Sequence, residues 1–320
     1  MSDKFTTNKL NYVETSGKFI NSLDVWNLYG ASGTGKGTRV SQFLTFLMEK
    51  ENYAQINISI DSLNSGRKNT ELQLGLFFPQ SKLLILGKWV KSNTAGRLVS
   101  FSSHDYLFNT LSKVCHYQVL YEAIFRACRI LQAEILVFEG YAAMQRPVHM
   151  LRDRVYPHLL DGEKDNIKCY AQFYSFPTER EIGYELIANR IKERTGKTIK
   201  GRCWEANKMW AKVASEKSLS EMPKLNPNVI YTESFSHSAP ITAFGEKLCQ
   251  LEPNLNKYLN EFLDYSKTFN TLRNLNDIEN SINKVNKYFQ FQKENSKPAF
   301  VVTPSMKTVK EYCSNLTIEE

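Results

Sequence analysis

One stretch constrains this chain more than any other: "NLYGASGTGKGTRVSQFL", residues 27–44. It leaves an apolar run, "LDVWNLYG", passes through a glycine-rich turn, and enters a segment with Val40, Phe43, Leu44 and Leu47 at helical spacing. Strand, glycine turn and helix in that order let successive backbone N–H groups converge on phosphate oxygens at the positive end of a helix. Gly30, Ala31, Ser32, Gly33, Thr34, Gly35 and Lys36 fit the pattern G-x-x-x-x-G-K. Gly37 takes the place where Ser or Thr is usual, and Thr38 carries the hydroxyl one residue later. Lys36 is read as reaching the β- and γ-phosphates, and Thr38 as orienting hydrated Mg²⁺. A turn that served packing alone would leave Lys36 without a task.

The rest of the chain reads as alternating strands and helices. Apolar strand-like runs recur at 83–90, 134–140, 167–176 and 228–234, and "AQINISI" alternates like a strand before "NSGRKNT" breaks it. Residues 114–133 predict a helix with Leu120, Ile124, Cys128 and Leu131 on one face. A second helix is marked by Thr178 and Glu181 after Pro177, with Gly196 at its end. This alternation predicts an α/β fold: a three-layer sandwich around a mainly parallel five-stranded sheet. After residue 250 Asn becomes frequent. Leu255, Tyr258, Leu259 and Phe262 mark one helix, and Phe269, Leu272, Leu275, Ile282, Val285 and Phe289 a second. The chain is therefore divided into a phosphate-binding domain, 1–250, and a helical appendage, 251–320.

Charge sharpens the division. Residues 1–250 carry 32 Lys and Arg against 24 Asp and Glu, whereas 251–320 carry nine of each. The whole net charge of +8 lies in the first part, which suits a polyanionic partner. The six cysteines form no CxxC pair, which argues against zinc or a disulfide framework and for thiols in a reducing compartment. No run approaches a membrane span, and the first residues lack a signal-type apolar stretch, so a cytoplasmic protein is expected.

The "GKGT" ending of the loop resembles the nucleoside monophosphate kinase branch of phosphate-loop proteins, which implies ATP as donor. The chain lacks the "DGFPR"-like segment of adenylate kinases, its nearest string being "DGEKD" at 161–165, and it lacks the early acidic-arginine motifs of cellular thymidylate kinases. Three further segments narrow the resemblance: "LLILGKWVKSNTAGRLVSFSSHDYLF", "ILVFEGY" and "REIGYELIANRIKERTGK". Together with the loop they resemble the phage DNA kinases that phosphorylate 5-hydroxymethyluracil within DNA, relatives of thymidylate kinases in thymidine hypermodification. The resemblance implies a P-loop kinase fold, ATP and Mg²⁺, and DNA containing a modified pyrimidine as partner. It does not reach past residue 250.

Several side chains are compatible with such chemistry. Transfer to a primary hydroxyl needs positioning and charge neutralisation more than covalent help. Glu139, at the carboxyl end of a core strand, can orient Mg²⁺ through water or accept the hydroxyl proton. Its bland alternative is a helix cap or a surface carboxylate. Asp105 can bind the acceptor or serve as base, or can cap the helix that begins at "YLFNTLSKV". Arg190 and Arg194 lie four apart and can cover the phosphoryl group as a lid, or form a solvated face. Lys88, Trp89 and Tyr106 are candidates for holding the acceptor, the rings by stacking a base flipped from the duplex. Core packing is the alternative for the rings. Two competing functions remain: a kinase of free nucleotides or nucleosides, and an ATP-binding regulatory module without catalysis.

Overall fold

The computed structural model describes residues 20–30, 35–60, 70–91, 98–102, 117–139, 147–174, 222–235 and 239–267. The apolar run forms β1 (Leu23–Gly30), and the helix after the glycine turn forms α1 (Lys36–Lys50). Then come β2 (Ala54–Ile60), β3 (Thr70–Phe78), β4 (Leu83–Leu86), β5 (Lys88–Lys91) and β6 (Leu98–Ser102). Helix α2 (Tyr117–Leu131) precedes β7 (Ile135–Glu139), and the short α3 (Pro147–Met150) runs on through a π-helical turn, Leu151–Val155. Strand β8 (Ile167–Tyr174) and the turn of helix α4 (Met222–Leu225) lead to β9 (Val229–Phe235). The described chain closes with α5 (Ala243–Leu251), α6 (Pro253–Asn256) and α7, residues 259–267.

Among the described residues the main sheet has seven strands, not five, in the order β2-β3-β4-β7-β1-β8-β9. From β4 to β9 every pairing is parallel. The two extra strands, β2 and β3, add antiparallel at the β4 edge. The run at 83–90 is also two strands. The chain leaves the main sheet at Gly87, and β5 pairs with β6 in a separate two-stranded sheet. The parallel strands read as continuous apolar runs because both faces are covered; all of β4 and β7 is buried.

Alternation along β1 sends successive side chains into two cores. Leu23 and Val25 join Leu120, Tyr121, Ile124, Phe125 and Cys128 of α2 and Leu136 and Phe138 of β7. Trp26 and Leu28 join Val40, Phe43, Leu44, Phe46 and Leu47 of α1 and Ile135 and Val137 of β7. Helices thus cover both faces. The second core also takes Leu255, Tyr258 and Phe262 from beyond residue 250, and the Phe262 ring meets Phe46 and Phe43 edge-on at 4.9 and 5.5 Å. Residues 251–267 therefore share the core of α1. The helix expected at 178–196 and the one marked from Phe269 lie outside the described residues.

A buried ion pair fixes the approach to β1. Glu163 receives Arg129 Nη2 at 2.6 Å and also accepts the backbone N–H groups of Ile20 and Leu160. Burial works to raise the Glu163 pKa, but Arg129 and those two N–H groups outweigh it and hold the carboxyl low. Cys128, Cys169 and Cys249 are free and buried. Burial pushes the Cys128 and Cys249 thiols up to about 12.

Candidate active site

Strand β1 ends at Gly30, where φ is 135°. A Cβ there would lie 2.1 Å from the carbonyl oxygen of Tyr174, its partner at the end of β8. Only glycine lets the two strand ends approach so closely. Residues Ala31, Ser32, Gly33 and Thr34 lie outside the described residues. The chain re-enters at Gly35, left-handed at φ 81°, which is the N-cap of α1 and accepts the Arg39 backbone N–H at 3.0 Å. Among the described residues no side chain caps this helix, and its first turn holds no acidic residue, so nothing among them offsets its positive end.

Lys36 opens the helix. It is 5% exposed, and its Nζ donates to the Gly30 carbonyl at 2.9 Å. The ammonium is thereby folded back over the start of the loop, where the sequence expects phosphate. Gly37 is half-buried and Thr38 is exposed beside it.

Glu139 is the last residue of β7 and is buried. It pairs in register with Leu28 of β1. Ile135 and Val137 of the same strand pack beneath α1, so alternation directs Glu139 to that face also. The lysine and the carboxylate thus belong to one edge and one face of the sheet, at the carboxyl ends of adjacent strands.

On the other side of β7, Ile85 pairs with Val137, so β4 leaves the sheet close to the level of Glu139. Lys88 and Trp89 follow at once. Lys88 is half-buried. Trp89 packs in the core under α1, 5% exposed, and its indole N–H has no hydrogen-bond partner among the described residues. The turn at Gly87 carries Trp89 inward, so the apolar cluster encloses its ring. Asp105, Tyr106, Arg190 and Arg194 lie outside the described residues.

Among the described residues no cluster of three or more His, Cys, Asp or Glu forms a metal site on its own. Thr38 and Glu139 nonetheless offer the hard oxygen donors that Mg²⁺ takes when phosphate oxygens and water complete its shell. That donor set fits magnesium held jointly with a nucleotide.

Two residues escape a reading of the sequence. Arg39 is 3% exposed, and its Nη2 and Nε donate to the carbonyls of Ala239 and Pro240 at 2.6 and 3.3 Å. Its guanidinium lies 4.7 Å from the centre of the Tyr174 ring. Tyr174 donates its hydroxyl to Gln172 Oε1 at 2.7 Å, and burial raises its pKa. No local pattern marks either residue, because their partners come from distant segments.

Residues 23–241 match the family model of 5-hmdU DNA kinase 2. The chain belongs to that family. The matched range begins with β1 and ends just before α5, so it takes in the loop, Lys36, Arg39, Glu139 and the Ala239–Pro240 segment. A curated 5-hmdU DNA kinase 2 of Salmonella phage ViI is 30% identical over 200 residues, covering 62% of this chain and 58% of that relative. The match therefore spans less than two thirds of the relative's length. No solved structure matches the chain. Among the described residues no helix is long and apolar enough to cross a membrane.

Proposed function

We propose that this protein is a kinase that transfers the γ-phosphoryl group of ATP to the hydroxyl of 5-hydroxymethyluracil in DNA. The observation that carries the reading is the buried Lys36 ammonium held over Gly30, at the uncapped end of α1, in a chain of the 5-hmdU DNA kinase 2 family. The name of the phage ViI relative, a 5-hmdU DNA kinase, supplies the acceptor. The basic balance of residues 1–250 suits a DNA substrate.

In this mechanism the loop N–H groups and the end of α1 bind the triphosphate, and Lys36 spreads positive charge over the β- and γ-phosphates. Magnesium, when bound, offsets the charge on the phosphate oxygens, and Thr38 and Glu139 are the residues that would hold it. Glu139 also orients the attacking hydroxyl or accepts its proton. The hydroxyl oxygen bonds to the γ-phosphorus, the bond to the bridging oxygen breaks, and ADP leaves. Asp105 and Lys88 are assigned to the acceptor, Tyr106 to stacking it, and Arg190 and Arg194 to covering the transferring group. Trp89, enclosed in the core, is assigned a hydrogen bond from its indole N–H rather than stacking.

The test is transfer of labelled γ-phosphate to hydroxymethyluracil-containing DNA and to the corresponding mononucleotide. Labelled DNA is the expected result. Label on the mononucleotide alone would refute the DNA acceptor, and no label on either would refute the kinase reading.

A further inference from the structure

Three segments leave the carboxyl edge of the sheet around the phosphate loop, and one side chain touches all three. The first leaves β1 and becomes α1. The second leaves β8 at Tyr174. The third leaves β9 and returns through Ala239 and Pro240 into α5. Arg39 stands in the first turns of α1, three residues after Lys36. Its fork reaches the carbonyls of Ala239 and Pro240, and its guanidinium carbon lies over the Tyr174 ring. A Cβ built on Gly35 would come within 2.9 Å of Arg39 Nη1, so the same guanidinium lies against the last glycine of the loop. Tyr174 is itself the residue whose carbonyl oxygen lies against Gly30, and its ring stacks on Phe235 at 5.2 Å, the end of β9. Arg39 thus bears on the segment after β9 and, directly or through Tyr174, on both ends of the phosphate loop.

We propose that Arg39 is a positioning residue for nucleotide binding: it locks the Ala239–Pro240 segment to the phosphate loop, so that ordering either one favours the other. This rests on the kinase reading of the loop. A guanidinium is suited to the task because it is planar. Its edge can give two carbonyls directed hydrogen bonds while its face covers a ring. A lysine keeps the charge but loses the fork and the flat face. A nucleotide bound at the start of α1 restrains Gly35 and Lys36, and a rigid link passes part of that restraint to Ala239 and Pro240. Without the link, that ordering falls on the ligand, and affinity drops while chemistry at saturation changes little.

The experiment uses the full chain, Mg²⁺ and the non-hydrolysable analogue in which NH bridges the β- and γ-phosphates. Titration calorimetry is run on wild type, Arg39→Lys and Arg39→Met, alongside thermal unfolding without nucleotide. The expected result for Arg39→Lys is a Kd raised on the order of tenfold, the worth of one charge-assisted hydrogen bond. In turnover its KM for ATP rises in step, and kcat stays within about threefold. A merely structural residue would lower the unfolding temperature and kcat together without this split. Hydrogen exchange on wild type gives a second readout, valid even if both variants fail to fold: the analogue should slow exchange across residues 239–243. Equal affinity of wild type and Arg39→Lys overturns the proposal, as does unchanged exchange at 239–243 on a loop that does bind. A wild type that binds no analogue overturns the kinase reading itself.

Discussion

Glu252→Gln should change how stability depends on pH. Glu252 sits between α5 and α6 and is only 2% exposed. It accepts the Trp26 indole N–H and is hydrogen-bonded to Asp24, which also receives the Tyr170 hydroxyl at 3.3 Å. Burial, then the neighbouring Asp24 charge, push the Glu252 pKa from 4.5 up to about 8, against a smaller opposing pull from Lys168. Asp24 is raised as well, chiefly by burial, so the pair shares a proton at neutral pH. The folded pKa lies above the unfolded one. Between pH 4.5 and about 8 the folded chain therefore keeps a proton that the unfolded chain releases, and stability falls as pH rises through that window. At about 1.4 kcal/mol per pH unit, the whole fall is on the order of 5 kcal/mol, of which roughly 1 kcal/mol comes between pH 7 and 8.5. His158, whose burial lowers its pKa from 6.5, works in the other direction at lower pH, and the buried Cys128 and Cys249 thiols add a fall at the top of the window, so wild type and variant are compared at the same two pH values. The amide introduced by Glu252→Gln keeps an oxygen for Trp26 and an N–H for Asp24 but never ionises. Urea unfolding followed by tryptophan fluorescence at pH 7 and 8.5 should show wild type losing roughly 1 kcal/mol more than Glu252→Gln. Parallel behaviour of the two proteins would refute the assignment of the shared proton.

Other outcomes follow from the site and the core. Lys36→Ala should abolish phosphoryl transfer, measured with labelled ATP, while circular dichroism shows a folded chain. Glu139→Gln should lower kcat more than it weakens ATP binding, because shape is kept and only charge and basicity go. Phe262→Ala should cost about 3–5 kcal/mol in a denaturant titration, because Phe262 is fully buried among Phe43, Phe46 and Tyr265. DNA binding measured without ATP should weaken steeply as salt rises, since each neutralised phosphate releases condensed counterions; a flat response would count against a DNA acceptor.

What the sequence reveals here is what is written locally. The run into Gly30, the position of Lys36 and the apolar face of α1 each lie within one short window, and Glu139 ends a strand that is apolar throughout. The β2–β3 pair is harder to see because "NSGRKNT" interrupts the pattern and the adjacent Phe77 and Phe78 blur the alternation of β3. The break at Gly87 hides inside an apolar run, which reads as one strand although it serves two sheets. The change to Asn-rich, charge-neutral sequence after residue 250 says nothing of packing, yet Leu255, Tyr258 and Phe262 complete the core of α1. Arg39 is invisible because its meaning lies in two carbonyls of a segment far along the chain.

The central place of β1 has a consequence for how the protein is made. Its two neighbours are β7 and β8, whereas the strands encoded between them, β2, β3 and β4, pair with one another and with β7. A ribosome therefore releases β1 before either of the strands that flank it. Until Tyr174 has left the exit tunnel, Gly30 has no neighbouring carbonyl to rest against. The nascent chain must carry an unpaired apolar strand through the synthesis of everything from α1 to β7, and such strands are what aggregation and holding chaperones compete for. A ligand held at this edge of the sheet cannot rescue the early stage, because the edge is assembled only after β8 has been added.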